Sequence, residues 1–65
     1  MKAYIAFPLL DINGLQLLLI KTEDSCEISI FNEHTNNTIL RLVPATLANL
    51  ERAISILKGE SSGDY

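Results

Sequence analysis

The sequence predicts an α+β domain, a four-stranded antiparallel meander followed by one C-terminal amphipathic helix (ββββα). Three observations carry this. Asn13-Gly14 lies between the apolar residues Ile12 and Leu15, Cys26–Ile30 and Thr38–Val43 alternate around an Asn-rich break, and Leu47, Leu50, Ile54 and Leu57 recur at spacings of three, four and three.

A two-residue type I′ turn needs positive φ at both positions, which Asn and Gly tolerate, so a hairpin is centred on Asn13-Gly14. Counting outward from a tight turn pairs Asp11 with Gln16, Leu9 with Leu18 and Phe7 with Ile20, while Leu10 with Leu17 and Pro8 with Leu19 point the other way. Both faces of this hairpin are then apolar. Pro8 would fall at a hydrogen-bonded position opposite Leu19, where its missing N–H is felt. Either a bulge near Pro8 relieves this, or the strand ends at Phe7 and a wider connection follows. In both cases the first strand belongs at a sheet edge.

Thr22–Ser25 is a polar break, and Cys26, Ile28 and Ile30 then alternate with Glu27 and Ser29 as in a half-buried strand. Asn32–Asn37 carries turn chemistry, and Leu40 and Leu42 flank Arg41 in the fourth strand. Pro44 suits a first helical turn, Asn49, Arg52 and Ser55 take the wet side of the helix, and Lys58 suits its C-terminal end. Gly59 is expected at C′ in left-handed conformation. Residues 1–59 therefore form one domain, and residues 60–65 a disordered tail.

One helix covers one face of a sheet. The row containing Leu10, Leu17 and Leu19 is expected to stay uncovered by this chain, and a homodimer through that row is the simplest way to bury it. Twenty of the 65 residues are Leu, Ile or Val, a large aliphatic load for a chain so short. Association is the expected outcome.

The net charge of −3 includes Glu60 and Asp64; without them six acids face five bases, too even a balance to attract nucleic acid or to imitate its backbone. The lone Cys26 cannot form an internal bridge, which places so small a domain in the cytoplasm. Asn36-Asn37-Thr38 matches a glycosylation sequon, but loop chemistry explains it in that compartment. Lys2 and the apolar stretch Ala3–Leu10 lack a cleavage pattern, and no apolar run reaches the roughly 20 residues that cross a bilayer, so no membrane association is expected.

Chemistry-bearing residues are sparse. Cys26 and His34 lack a third orienting group, Cys26, Glu33 and His34 are too few for a metal, and Glu23, Asp24 and Glu27 read as a solvated face around a turn. No glycine-rich loop precedes the helix. The expected protein is not an enzyme and holds no cofactor or metal.

The order of four strands and a helix resembles the core of the single-strand-binding transcriptional coactivators, in topology and without a shared motif. That resemblance implies a dimer laying nucleic acid across curved sheets. Such a surface needs basic residues with aromatic platforms, whereas Lys2, Lys21, Arg41 and Arg52 are scattered and Tyr4, Phe7 and Phe31 are the aromatics before the tail. The reading preferred from sequence is a non-enzymatic protein-binding module that occupies a partner's surface, as a small phage or mobile-element inhibitor of a host system does. A third reading has the dimer hold a small ligand such as a nucleotide between protomers, with Glu33, His34, Thr35, Asn36 and Asn37 as a loop contact site.

Overall fold

Asn13 and Gly14 both adopt positive φ, 52° and 84°, and close the hairpin of β1 (Ile5–Ile12) on β2 (Leu15–Lys21). The structure, a computed structural model, describes residues 4–62. Ile12 pairs with Leu15, Asp11 with Gln16 and Leu10 with Leu17, as the tight turn requires. Beyond Leu10 the ladder slips. Leu9 is the extra residue of a bulge, Pro8 faces Leu18 and Phe7 faces Leu19 in place of the expected Ile20.

The reason lies in ladder phase. Glu33 N–H donates to Gly14 O at 2.8 Å, and bonded and non-bonded pairs alternate along an antiparallel ladder. Stepping from Gly14 by twos makes Leu18 and Ser29 a hydrogen-bonded pair, so the backbone groups of Leu18 point to β3 (Cys26–Asn32) and ask nothing of Pro8. Pro8 is thus accommodated on the edge of a sheet ordered β1-β2-β3-β4.

Thr22 and Ser25 close the second turn, Thr22 N–H donating to Ser25 O at 2.8 Å and Ser25 N–H to Thr22 Oγ1 at 3.1 Å. At the third turn Asn32 Oδ1 accepts from His34 N–H at 2.9 Å, and Asn36 takes the left-handed conformation at φ 60°. The fourth strand, β4 (Asn37–Leu42), pairs with β3 through a register shift that leaves Ile39 unpaired between Thr38 and Leu40.

Helix α1 (Leu47–Ser62) starts at a threonine cap, Asn49 N–H donating to Thr46 Oγ1 at 3.1 Å. The Asn49 amide also donates to Pro44 O at 2.7 Å, so Pro44 precedes the cap and is not in the first turn. Ala45 N–H donates to Cys26 O at 3.0 Å and ties this connection to β3. Gly59 lies inside the helix, not after it. It does not take positive φ, and the helix runs through it to Ser62. The expected tail of 60–65 therefore begins with helical residues, and 63–65 fall outside the described residues.

The core is Leu15, Leu17, Ile28, Ile30, Ala53 and Leu57, with Leu50 and Ile54 from the helix and Leu19, Leu40 and Leu42 from the sheet around it. This corrects the expected exposure of the Leu17 row. Leu17 is 2% exposed and Leu19 is half-buried, because they oppose Ile30 and Ile28, the apolar stripe of β3 on which the helix packs. Only Leu10, at the β1 edge, stays substantially exposed, at 38%.

Truncating Leu57, which is wholly buried between helix and sheet, should cost about 2–5 kcal/mol, a large part of the stability of so small a domain. Urea unfolding of Leu57→Ala checks this. Gly14→Ala should also destabilise, since it forces an L-residue into positive φ and drives its Cβ onto the His34 ring.

Candidate interaction surface

The helix packs mainly on β2 and β3 and meets β1 only in part, and the bulge decides what is left exposed there. Had alternation continued through Pro8, Phe7 would face away from Leu10. With Leu9 inserted, Phe7 opposes Leu19, so Ile5, Phe7 and Leu10 all lie on the helix face with no helix above them. They are 57%, 46% and 38% exposed, and Leu9 is 47% exposed.

Leu47 completes this apolar shelf. Its spacing predicts a core residue, yet at 72% exposure it is the most exposed large apolar side chain described, because the first helical residue stands at the rim. Between it and β1 runs a hollow of about 400 Å³ lined by Leu9, Leu19, Ile28, Ala45, Leu47 and Leu50. Its floor continues the core.

The opposite face has no helix, and there the sheet shields its own polar groups. Glu27, expected to be solvated, is 8% exposed, and Ser29 is 2% exposed. Arg41 closes over the carboxylate as a fork, Nε donating to Oε2 and Nη2 to Oε1, both at 3.0 Å. Ser29 Oγ adds a bond to Glu27 Oε2 at 3.2 Å. The Arg41 hydrogen bonds hold the Glu27 carboxyl below the usual carboxylate range, against the opposing effect of burial. Glu27, Ser29 and Arg41, with Tyr4, Ile20, Thr22 and Thr38, line a cleft of about 360 Å³ that draws on β2, β3 and β4 and on Tyr4, just before β1.

The signal for this pair was present in the sequence. Glu27 and Ser29 occupy the off-core parity of β3, and Ser29 pairs with Arg41 across the ladder, which puts Glu27 diagonal to the arginine. Reading Glu27 as part of the preceding turn concealed it.

The expected loop site, Glu33, His34, Thr35, Asn36 and Asn37, is exposed, and its geometry is that of a self-supporting turn. Asn32 Oδ1 takes the His34 N–H, and the His34 ring reaches the first hairpin, its Nε2 3.3 Å from Asn13 O. Glu33 lies beside Asp11, whose hydrogen bond and charge raise its pKa. Asn37 is already in β4, paired with Asn32.

The Cys26 and His34 combination does not assemble. Cys26 begins β3 and His34 follows its end, roughly 20 Å apart along an extended strand. No three His, Cys, Asp or Glu among the described residues are grouped to hold a metal ion, and no described helix is long and apolar enough to cross a membrane. Comparison with family models, curated proteins and solved structures finds no match.

The Glu27 pair makes an acid-side contribution with a defined sign. Its pKa is lower in the folded chain than in the unfolded one, so the stabilisation is present above the carboxylate range and is lost as pH falls through it. Glu27→Gln should therefore melt below wild type at neutral pH, and the two curves should converge on acidification. Thermal melts across pH check this; curves that stay parallel would remove the ion pair from the account.

Proposed function

We propose that this protein is a non-enzymatic binding module that self-associates through the apolar shelf and acts by occupying a partner protein's surface. The observation that carries the reading is the shelf, where the exposed Leu9 and Leu47 line a hollow that reaches Ile28 of the core, and Phe7 and Leu10 stand exposed beside Leu9 on β1. Isolated apolar residues on a surface are ordinary, but a contiguous group of large ones marks an interface.

Face-to-face packing suits the shelf better than strand addition does. The ladder phase turns the backbone of Pro8 outward from the β1 edge, where proline offers no N–H, and the Leu9 bulge breaks the run beside it. A second strand laid along β1 would meet a gap at its centre. A standard interface takes about 800 Å² from each partner, around one-sixth of this chain's 4609 Å² surface. The shelf would form its apolar centre.

A dimer joined in this way keeps the open sheet face for a partner protein, a mode that suits a small inhibitor of a host system carried by a phage or mobile element. Single-stranded nucleic acid is disfavoured by charge. Among the described residues the open face carries one arginine, Arg41, and Glu27 neutralises it. A nucleotide held by the 33–37 loop gains no support from that loop's internally bonded geometry.

Sedimentation velocity should show a concentration-dependent dimer, and Leu9→Lys combined with Leu47→Lys should return it to a monomer with its circular dichroism retained. A wild-type chain that is monomeric at about 100 μM, where even a weak micromolar dimer would form, overturns the self-association. Protein capture with wild type as bait tests the partner. Repeated captures holding only background proteins would end the binding-module reading.

A further inference from the structure

Resting on the binding-module reading, we propose that the open-face cleft is a receptor for an aromatic side chain of the partner protein, taken between the Arg41 guanidinium and Tyr4. The cleft of about 360 Å³ draws on β2, β3 and β4 and on Tyr4 just before β1, and it lies on the face opposite the helix. Pockets of a few hundred Å³ with apolar walls and a few fixed polar groups are the usual form of a small binding site. Here the walls are Tyr4 and Ile20, and the polar groups are those of Thr22, Thr38 and the Glu27–Ser29–Arg41 network.

The chemistry of Arg41 selects the ligand class. Glu27 occupies one edge of its guanidinium through two hydrogen bonds of 3.0 Å, which fixes the plane of the group. That edge is no longer offered to a carboxylate or phosphate, and the net charge of the pair is zero. The Arg41 side chain is nevertheless 66% exposed over a carboxylate side chain that is 11% exposed, so the planar cation has an open side. A flat, weakly hydrated and pre-oriented cation is a stacking surface for an aromatic ring. Tyr4, 65% exposed and lining the same cleft, supplies a second aromatic contact.

The alternatives fit less well. An aliphatic side chain would bury the guanidinium face without an attraction to offset its desolvation. A nucleobase stacks as well as an aromatic side chain but brings phosphate, which the chain's net charge of −3 opposes and the neutralised Arg41 does not attract. A tyrosine or tryptophan brings no charge and places a hydroxyl or indole N–H within the class of groups that Thr38 can bond.

The test is NMR titration of the ¹⁵N-labelled chain with N-acetyl-tryptophanamide, with N-acetyl-leucinamide and a short single-stranded oligonucleotide as separate arms. The tryptophan probe should move the Arg41 Nε–H signal and the Ile20, Ser29 and Thr38 amides together, in a saturable way. Arg41→Lys, which keeps the charge and loses the plane, should weaken this binding at least fivefold, and Tyr4→Ala should weaken it without disturbing the Glu27–Arg41 pair. The proposal is overturned if the leucine probe acts equally, if the oligonucleotide moves the same signals more strongly, or if no open-face signal moves. It is also overturned if both variants bind as wild type does. Should the probe fail while capture of a partner persists, the cleft assignment falls and the binding-module reading stands.

Discussion

Pro8 sits in the middle of a strand whose far end is fixed by a tight turn, and the rest of the structure follows from where that residue can go. A proline cannot donate to the ladder, and the Asn13-Gly14 turn admits no slack. One extra residue, Leu9, moves Pro8 opposite Leu18, whose backbone groups are engaged with β3. The local problem is solved at the cost of a parity change. Every residue of β1 before the bulge exchanges faces relative to a regular strand, and Phe7 thereby joins Leu10 and Ile12 on the side of the core.

That change makes the helix face broader than one helix can cover. α1 lays Leu50, Ala53, Ile54 and Leu57 on the stripe formed by Leu17, Ile28 and Ile30; of β1, Ile12 packs against this core while Ile5, Phe7, Leu9 and Leu10 stay exposed. The opposite face shields itself by a different means. There Arg41 lies across Glu27, and two side chains that would each be costly to desolvate alone satisfy each other and the Ser29 hydroxyl. Apolar surplus on one side and a satisfied polar network on the other are the two consequences of four strands served by one helix.

The element order, the turn at Asn13-Gly14 and the alternation of β3 and β4 were legible because each rests on local chemistry. The bulge was legible as one of two alternatives, since counting from the turn exposes the conflict at Pro8. What could not be read was which row of β2 the helix would take. Leu15, Leu17 and Leu19 differ little in character from Leu18 and Ile20, and the choice is made by the register across the Thr22–Ser25 turn, which aligns the odd-numbered residues with Ile28 and Ile30. The self-association face predicted at Leu10, Leu17 and Leu19 failed on that point, and of the three Leu10 alone keeps a large exposed share. The length of α1 was missed because Gly59 is a strong local stop signal that the helix nevertheless passes through.

The two uncovered surfaces lie on opposite sides of the sheet, and this has a geometric consequence for assembly. Two copies meeting shelf to shelf would bury Phe7, Leu9 and Leu47 between them and turn both Arg41 clefts outward. The cleft draws nothing from the shelf except through the sheet itself, so association need not compete with binding. A symmetric pair would then present two identical receptors, and a partner carrying two suitable side chains would gain by avidity what a single shallow cleft cannot supply. In that arrangement the surplus of oily residues and the neutral polar face are complementary parts of one design, the first gathering two copies and the second selecting what they hold.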